Sequence, residues 1–123
     1  MKTIAVVGAS ADRRKFGNKC VRAYRDAGYQ VYPVNPAESR IEGLPACRSL
    51  AEVPVPLDRI SVYLPPPVTL ALLPEIAGRA AREVWFNPGS ADGTVLAEAR
   101  RLGIAAVPGC SIVDIGRSPS DYP

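Results

Sequence analysis

The sequence has no histidine among its 123 residues. The one side chain whose charge ordinarily changes near neutral pH is therefore missing. Ser-His-Asp and Cys-His nucleophile arrangements, phosphohistidine intermediates and His-ligated zinc go with it. Cysteine is scarce: Cys20, Cys47 and Cys110 are odd in number and show no CxxC spacing. A disulfide framework and a thiolate zinc site are both disfavoured, and free thiols point to a reducing compartment. No apolar run approaches membrane-spanning length, and Ile4-Ala5-Val6-Val7 is too short for a signal-peptide core. No two carboxylates show a spacing that demands acid–base work. The expectation is a complete cytoplasmic chain, one domain over residues 1–123, with no metal, no membrane partner and no catalytic residue.

Charge is present but unevenly placed. The formal net charge is +3, too weak by itself to argue for nucleic acid. Residues 1–60 hold ten Lys/Arg against six Asp/Glu, whereas residues 61–123 hold five against six. Six of the bases fall between Arg13 and Arg25, which reads as a solvated helix face or as a local anion site.

Apolar patterning alternates between the periods of strand and helix. Thr3–Gly8, Gln30–Val34, Arg59–Leu64, Glu83–Phe86 and Ile104–Val107 read as strands. Phe16–Ala27, with apolar residues at 16, 20, 21, 24 and 27, reads as a helix closed by Gly28. Val68–Ala81, kinked or started by Pro74, and Ala91–Leu102, closed by Gly103, read as two more. Pro33 inside the second strand points to a sheet edge or an early strand end. Arg40–Pro45 is irregular, Ser49–Val53 a single helical turn, Ile112–Ile115 a further short strand and Ser118–Pro123 a loose tail. Trp85 and Phe86 belong to the core, and Tyr24, Tyr29 and Tyr32 cover the sheet or the surface. Asp92 is expected at a helix N-terminus and Asp114 at a strand end. Repeated strand–helix–strand units predict an α/β fold, a three-layer Rossmann-like parallel sheet with helices on both faces. In such sheets ligands bind beyond the carboxyl ends of the strands.

Six of the 13 prolines stand at those ends: Pro36, Pro65, Pro66, Pro67, Pro88 and Pro108. Each is an ordinary strand stop, yet together their rings form a pre-shaped apolar wall. At the first strand end, Gly8-Ala9-Ser10 is a small-residue turn followed by Arg13, Arg14 and Lys15 and then a helix. Free N–H groups at a helix start beside positive charge suit a phosphate or pyrophosphate. Neither GxGxxG nor GxxxxGK[ST] is present, and the next glycine after Gly8 is Gly17. The second strand ends in Val34-Asn35-Pro36, with Glu38 the nearest acid, so no carboxylate is placed for the ribose diol of NAD.

The segments IAVVGAS, GYQVYPVNP, EGLPACRSLAEVP, SVYLPPP, VWFNPGS and GIAAVPGCSIVDI, in that order over about residues 3–115, resemble the small bacterial CoA-binding proteins. That family is related to the CoA-binding domain of succinyl-CoA synthetase alpha chains. The resemblance implies a Rossmann-like domain holding the 3′-phospho-ADP part of coenzyme A across the carboxyl edge. It implies Gly8, Ala9 and Ser10 along the phosphate turn, with Arg13 and Lys15 as phosphate partners and Arg14 beside them. Asn35 and Pro36 would flank the nucleotide, Leu64, Pro65 and Pro66 would lie along adenine or pantetheine, and Asn87 and Gly89 would form a strand-end loop near the ligand. Two positions depart from the family pattern. Ala37-Glu38 stand where the synthetases carry a lysine, leaving Arg40 the nearest base, and Asn87 stands where small members often have Gln. The synthetase's later domain and its phosphohistidine have no counterpart in these residues.

The reading is non-catalytic binding of CoA or an acyl-CoA. The alternatives are an NAD(P)-binding module or degenerate dehydrogenase, and a nucleotide-regulated interaction module acting on a partner chain. Cys110, just past the last strand, reads either as a structural cysteine or as a thiol able to form a mixed disulfide with CoA.

Overall fold

The computed structural model describes residues 1–123. Five parallel strands form one sheet: β1 (Thr3–Val7), β2 (Gln30–Val34), β5 (Arg59–Val62), β6 (Glu83–Phe86) and β7 (Ala106–Pro108), in the order β2-β1-β5-β6-β7. The numbers β3 (Arg40–Ile41) and β4 (Leu44–Pro45) belong to a two-stranded antiparallel hairpin between β2 and β5. The irregular Arg40–Pro45 segment is thus a hairpin, turned at Glu42 and Gly43, both with positive φ. β2 is an edge strand, and this accommodates Pro33: it has no N–H to give, while its carbonyl accepts from Cys47 N at 2.9 Å.

The strand pleat sorts side chains to two faces. From β1, Ala5 and Val7 join Val62, Leu73, Ile76, Phe86, Val95 and Ala99. Ile4 and Val6 point the other way, onto Cys20, Val21, Ala23 and Tyr24. The first cluster lies under α2 (Pro66–Gly78) and α3 (Gly93–Arg101), the second under α1 (Phe16–Asp26) and α4 (Ser111–Asp114). Helices cover both faces, the three-layer arrangement the alternation predicts. β1 is buried throughout, as a central parallel strand must be.

Four expectations need correction. Ile112–Ile115 is not a strand; Ser111–Asp114 is one turn of helix. A four-residue apolar run carries too little period to tell the two apart. α2 begins at Pro66, not Val68, with prolines in its first turn where no N–H partner exists to lose, and it runs through Pro74. Tyr24 covers the sheet as expected, fully buried against Ile4 and Val6, its hydroxyl donating to Ser111 O at 2.7 Å. Asp114 belongs to α4 and pairs with Arg59 at 2.8 Å.

The tail is the fourth. Ser118 and Asp121 form a capping box on the 3₁₀ turn Pro119–Asp121, and Tyr122 is buried. Arg22 of α1, itself buried, donates to Asn18 Oδ1 at 2.8 Å, Arg13 O at 2.9 Å, Tyr122 O at 3.1 Å and Pro123 O at 3.1 Å. One guanidinium therefore clips the tail to the helix, through backbone carbonyls that hydropathy does not reveal. Arg22→Ala is expected to lower stability by about 2 kcal/mol, since hydrogen bonds from a charged donor are lost and carbonyls lose their partner. Urea unfolding measures this, and trypsin should then cut faster after Arg117.

Candidate functional site

The chain reverses direction across the sheet between β1 and β5, so the crevice at their carboxyl ends is the switch point of the fold. Gly8 begins the turn out of β1 with φ +86°, and a Cβ there would lie 2.4 Å from the carbonyl oxygen of Tyr63. Gly17, in the first turn of α1, is packed as closely on the other side: its Cβ would lie 2.3 Å from Gly8 O. Two glycines nine residues apart thus let strand end, helix start and the exit of β5 meet backbone to backbone, without a GxGxxG pattern.

Side chains hold this turn in place. Ser10 Oγ accepts from Asp12 N at 3.0 Å, and Asn18 donates to Ser10 O at 2.9 Å. From the end of β2, Asn35 donates to Ala9 O at 2.8 Å, while its Oδ1 accepts from Ala37 N at 2.7 Å and Glu38 N at 3.0 Å. Asn35 is a latch between two strand ends. Lys15 stands at the N-cap of α1, where no side chain caps the helix. The free amides at that end and the Lys15 side chain face the same space, a favourable environment for an anion.

The result is a cleft of about 570 Å³, inside the roughly 300–1,000 Å³ range of small-molecule and cofactor sites. Its floor is Gly8, Ala9, Ser10 and Gly17, and Lys15 and Phe16 flank the helix start. Asn35 and Pro36 close one end, Tyr63, Leu64, Pro65 and Pro66 the wall after β5, and Pro88, Gly89 and Ser90 the wall after β6. Proline rings from three strand ends, at positions 36, 65, 66 and 88, line it; Pro67 and Pro108 do not. A wider depression between α2 and α3, about 850 Å³, includes Leu70, Pro74 and Arg101 but none of the strand-end turns.

Of the residues singled out in the sequence, Gly8, Ala9, Ser10, Lys15, Asn35, Pro36, Leu64, Pro65, Pro66 and Gly89 come together in the cleft. Arg13, Arg14 and Asn87 do not line it. Arg13 reaches the hairpin instead, 3.5 Å from Glu42. Arg14 turns back on Asp12 with two contacts, at 3.1 and 3.0 Å, and this guanidinium holds the Asp12 carboxyl down to about 2. Arg40 donates to Gly43 O at 2.7 Å on the hairpin. Asn87 is buried, donating to Ser61 Oγ at 2.8 Å and Val62 O at 3.0 Å and accepting from Ser111 N at 2.9 Å. Pro88, expected in the proline wall, joins the cleft residues, whereas sequence reasoning missed Phe16, Gly17, Tyr63 and Ser90. Gly17 was visible as the next glycine after Gly8. Tyr63 carried no signal beyond its place after β5.

A sequence profile of the CoA binding domain matches residues 2–116. The chain belongs to the CoA-binding domain family. A conserved hypothetical protein from Pyrococcus furiosus has the same fold, with 32% identity and a TM-score of 0.84 over 93% of this CoA-binding domain and 99% of that chain. Uncharacterized protein YneT of Bacillus subtilis is 39% identical over 62 residues, 50% of this chain and 46% of that protein. The alpha subunit of ADP-forming acetate–CoA ligase II from P. furiosus is 36% identical over 63 residues, 50% of this chain but 14% of the subunit. The alignments thus span less than half of the Bacillus protein and a small part of the ligase subunit. No helix of this CoA-binding domain is long and apolar enough to cross a membrane.

Proposed function

We propose that this domain holds coenzyme A or an acyl-CoA by its nucleotide and phosphate groups, and does no chemistry on it. The carrying observation is the coincidence, in one cleft, of the glycine-backed turn Gly8-Ala9-Ser10, the uncapped start of α1 and the Lys15 side chain. Membership of the family supports CoA as the ligand class, and the donor set fits it: backbone amides and a lysine for phosphate, proline and leucine faces for adenine and pantetheine. Gly8, Ala9, Ser10 and Lys15 bind the diphosphate in this reading, and Asn35 positions the turn. Leu64, Pro65 and Pro66 pack against the rings or the pantetheine arm. Arg13, engaged by Glu42, contributes only long-range charge.

An NAD-type site is disfavoured by Asn35. Its carbonyl oxygen already accepts two backbone amides and its amide serves Ala9 O, so no free acceptor waits at the end of β2 for a ribose diol.

Titration calorimetry with CoA, 3′-dephospho-CoA, NAD, NADP and ATP tests the reading. CoA is expected to bind best, and NAD binding more tightly than CoA would overturn it. Lys15→Glu is expected to weaken CoA binding about tenfold or more, a loss typical of one charge-assisted contact. Arg13→Glu is expected to weaken it by less, because Arg13 faces the hairpin.

A further inference from the structure

Beside the cleft lies a second, more enclosed chamber of about 230 Å³, lined by Phe16, Tyr63, Asn87, Pro88, Cys110 and Pro119. Phe16, Tyr63 and Pro88 line both spaces. The two are neighbours across one wall.

The chamber's lining has little polar chemistry to offer. The Asn87 carboxamide is spent on Ser61, Val62 and Ser111. The Tyr63 hydroxyl is buried without a hydrogen-bond partner, the one polar group of the lining left unspent, and burial pushes its pKa well up, so it stays protonated. Phe16, Pro88 and Pro119 present rings. Cys110 adds a thiol that behaves as a small apolar group. Pro119 arrives on the docked tail, so the Arg22 clip helps hold the chamber's outer wall in place. An apolar cavity of about 150 Å³ is enough to take benzene. This one therefore has room for an alkyl chain of about four to six carbons, and not for a long fatty chain.

We infer that the chamber is the acyl pocket of the site: the alkyl part of a short-chain acyl-CoA enters it past Phe16, Tyr63 and Pro88, and the thioester carbonyl remains at its mouth in the wetter cleft. The inference rests on the proposed CoA reading and narrows it, from CoA in general to short acyl thioesters as preferred ligands. Its occupant follows from the shared wall. A ligand laid along Leu64, Pro65 and Pro66 with its diphosphate at Lys15 has only its far end left to place, and the neighbouring space is apolar and bounded. No bond is made or broken.

The test is a calorimetric series on the full chain with CoA, acetyl-CoA, butyryl-CoA, hexanoyl-CoA and decanoyl-CoA. Each methylene that enters the chamber should tighten binding about threefold, somewhat below the gain for full burial. The gain should stop near six carbons, and decanoyl-CoA should bind no better than hexanoyl-CoA. Cys110→Leu, which fills part of the chamber, should cut the ratio of butyryl-CoA to CoA affinity to near one within the same variant. CoA binding with a flat or falling acyl series overturns the acyl pocket while leaving the nucleotide reading intact. A steady rise through decanoyl-CoA also overturns it, since a bounded chamber cannot give one. Failure of CoA and every acyl-CoA to bind removes both.

Discussion

Gly17→Ala is expected to lower stability by about 2–3 kcal/mol and to weaken CoA binding by an order of magnitude or more, although alanine is the better helix former. The propensity gain for glycine to alanine in a helix interior is at most about 1 kcal/mol, and Gly17 sits in the first turn, where it is smaller. Against it stands a methyl 2.3 Å from Gly8 O and 3.2 Å from the Ala9 Cα. Both are backbone atoms of the β1 exit and cannot swing aside. Over-packing of this kind costs about 1–3 kcal/mol and sometimes more, so the steric effect decides the sign. The relief available is to push α1 away from the Gly8-Ala9-Ser10 turn, which separates the helix amides and Lys15 from the turn they share. Binding should therefore suffer beyond the fraction of protein unfolded. Gly78→Ala, near the end of α2, is the control: nothing lies within 4 Å of its added methyl, and it should be neutral or stabilising by up to about 1 kcal/mol. Urea unfolding of both variants, with calorimetry under conditions where each is folded, gives the comparison. Equal effects at the two glycines would sink the backbone-contact account of the turn.

What the sequence made legible follows from apolar runs, period and punctuation. β1 appeared as a continuous apolar β-branched run and α1 as an apolar stripe near 3.6, while Gly28 and Gly103 do stand past the ends of α1 and α3 with positive φ. Asp92 was expected at a helix N-terminus and is the N-cap of α3, accepting from Val95 N at 2.9 Å. Pro33 pointed to an edge or to an early end of β2, and β2 is an edge strand. Direction was not readable. Arg13 and Lys15 are two residues apart in one basic run, yet one meets Glu42 on a hairpin 29 residues on and the other faces the cleft. That choice depends on where Glu42 lands, a tertiary fact. Asn87 and Gly89 share a strand-end loop in sequence, but Gly89 lines the cleft and Asn87 turns inward to satisfy groups on β5 and α4. The tail defeated hydropathy for a similar reason. Ser118-Pro119-Ser120-Asp121 is polar by composition, and its order comes from an internal capping box and from Arg22 on a helix about 100 residues earlier.

Asn87 supports the second large prediction. Its carboxamide joins three elements: Nδ2 to Ser61 Oγ and Val62 O on β5, and Oδ1 from the backbone N–H that opens α4. Ser61 Oγ and Ser111 Oγ are themselves 2.8 Å apart, and all three residues are buried. Asn87→Ala leaves Ser111 N without its acceptor and strips Ser61 Oγ and Val62 O of their side-chain amide donor, with Cys20 Sγ and Ser111 Oγ still beside Ser61, and a buried group left unpaired costs about 1–3 kcal/mol. A total loss of about 3 kcal/mol is expected. Under folding conditions the CoA affinity should stay within about threefold of wild type, because Asn87 gives no free polar atom to the cleft; a loss above tenfold in the folded protein would instead make it a ligand contact. Asn87→Asp adds a sign that can be checked by pH. An ionised carboxylate there would be buried and would face Val62 O, which can only accept, so the folded state favours the protonated acid and its pKa rises above the unfolded value near 4. The folded state then binds more protons than the unfolded state, and stability must fall as pH rises. The variant should be most stable near pH 4, where the acid can still donate in place of the lost amide, and should weaken steadily toward pH 7. Urea midpoints for wild type, Asn87→Ala and Asn87→Asp across that range separate this from a general acid effect. Only the aspartate should carry the slope, and an aspartate variant whose stability rises with pH relative to the alanine would refute the inward-facing amide.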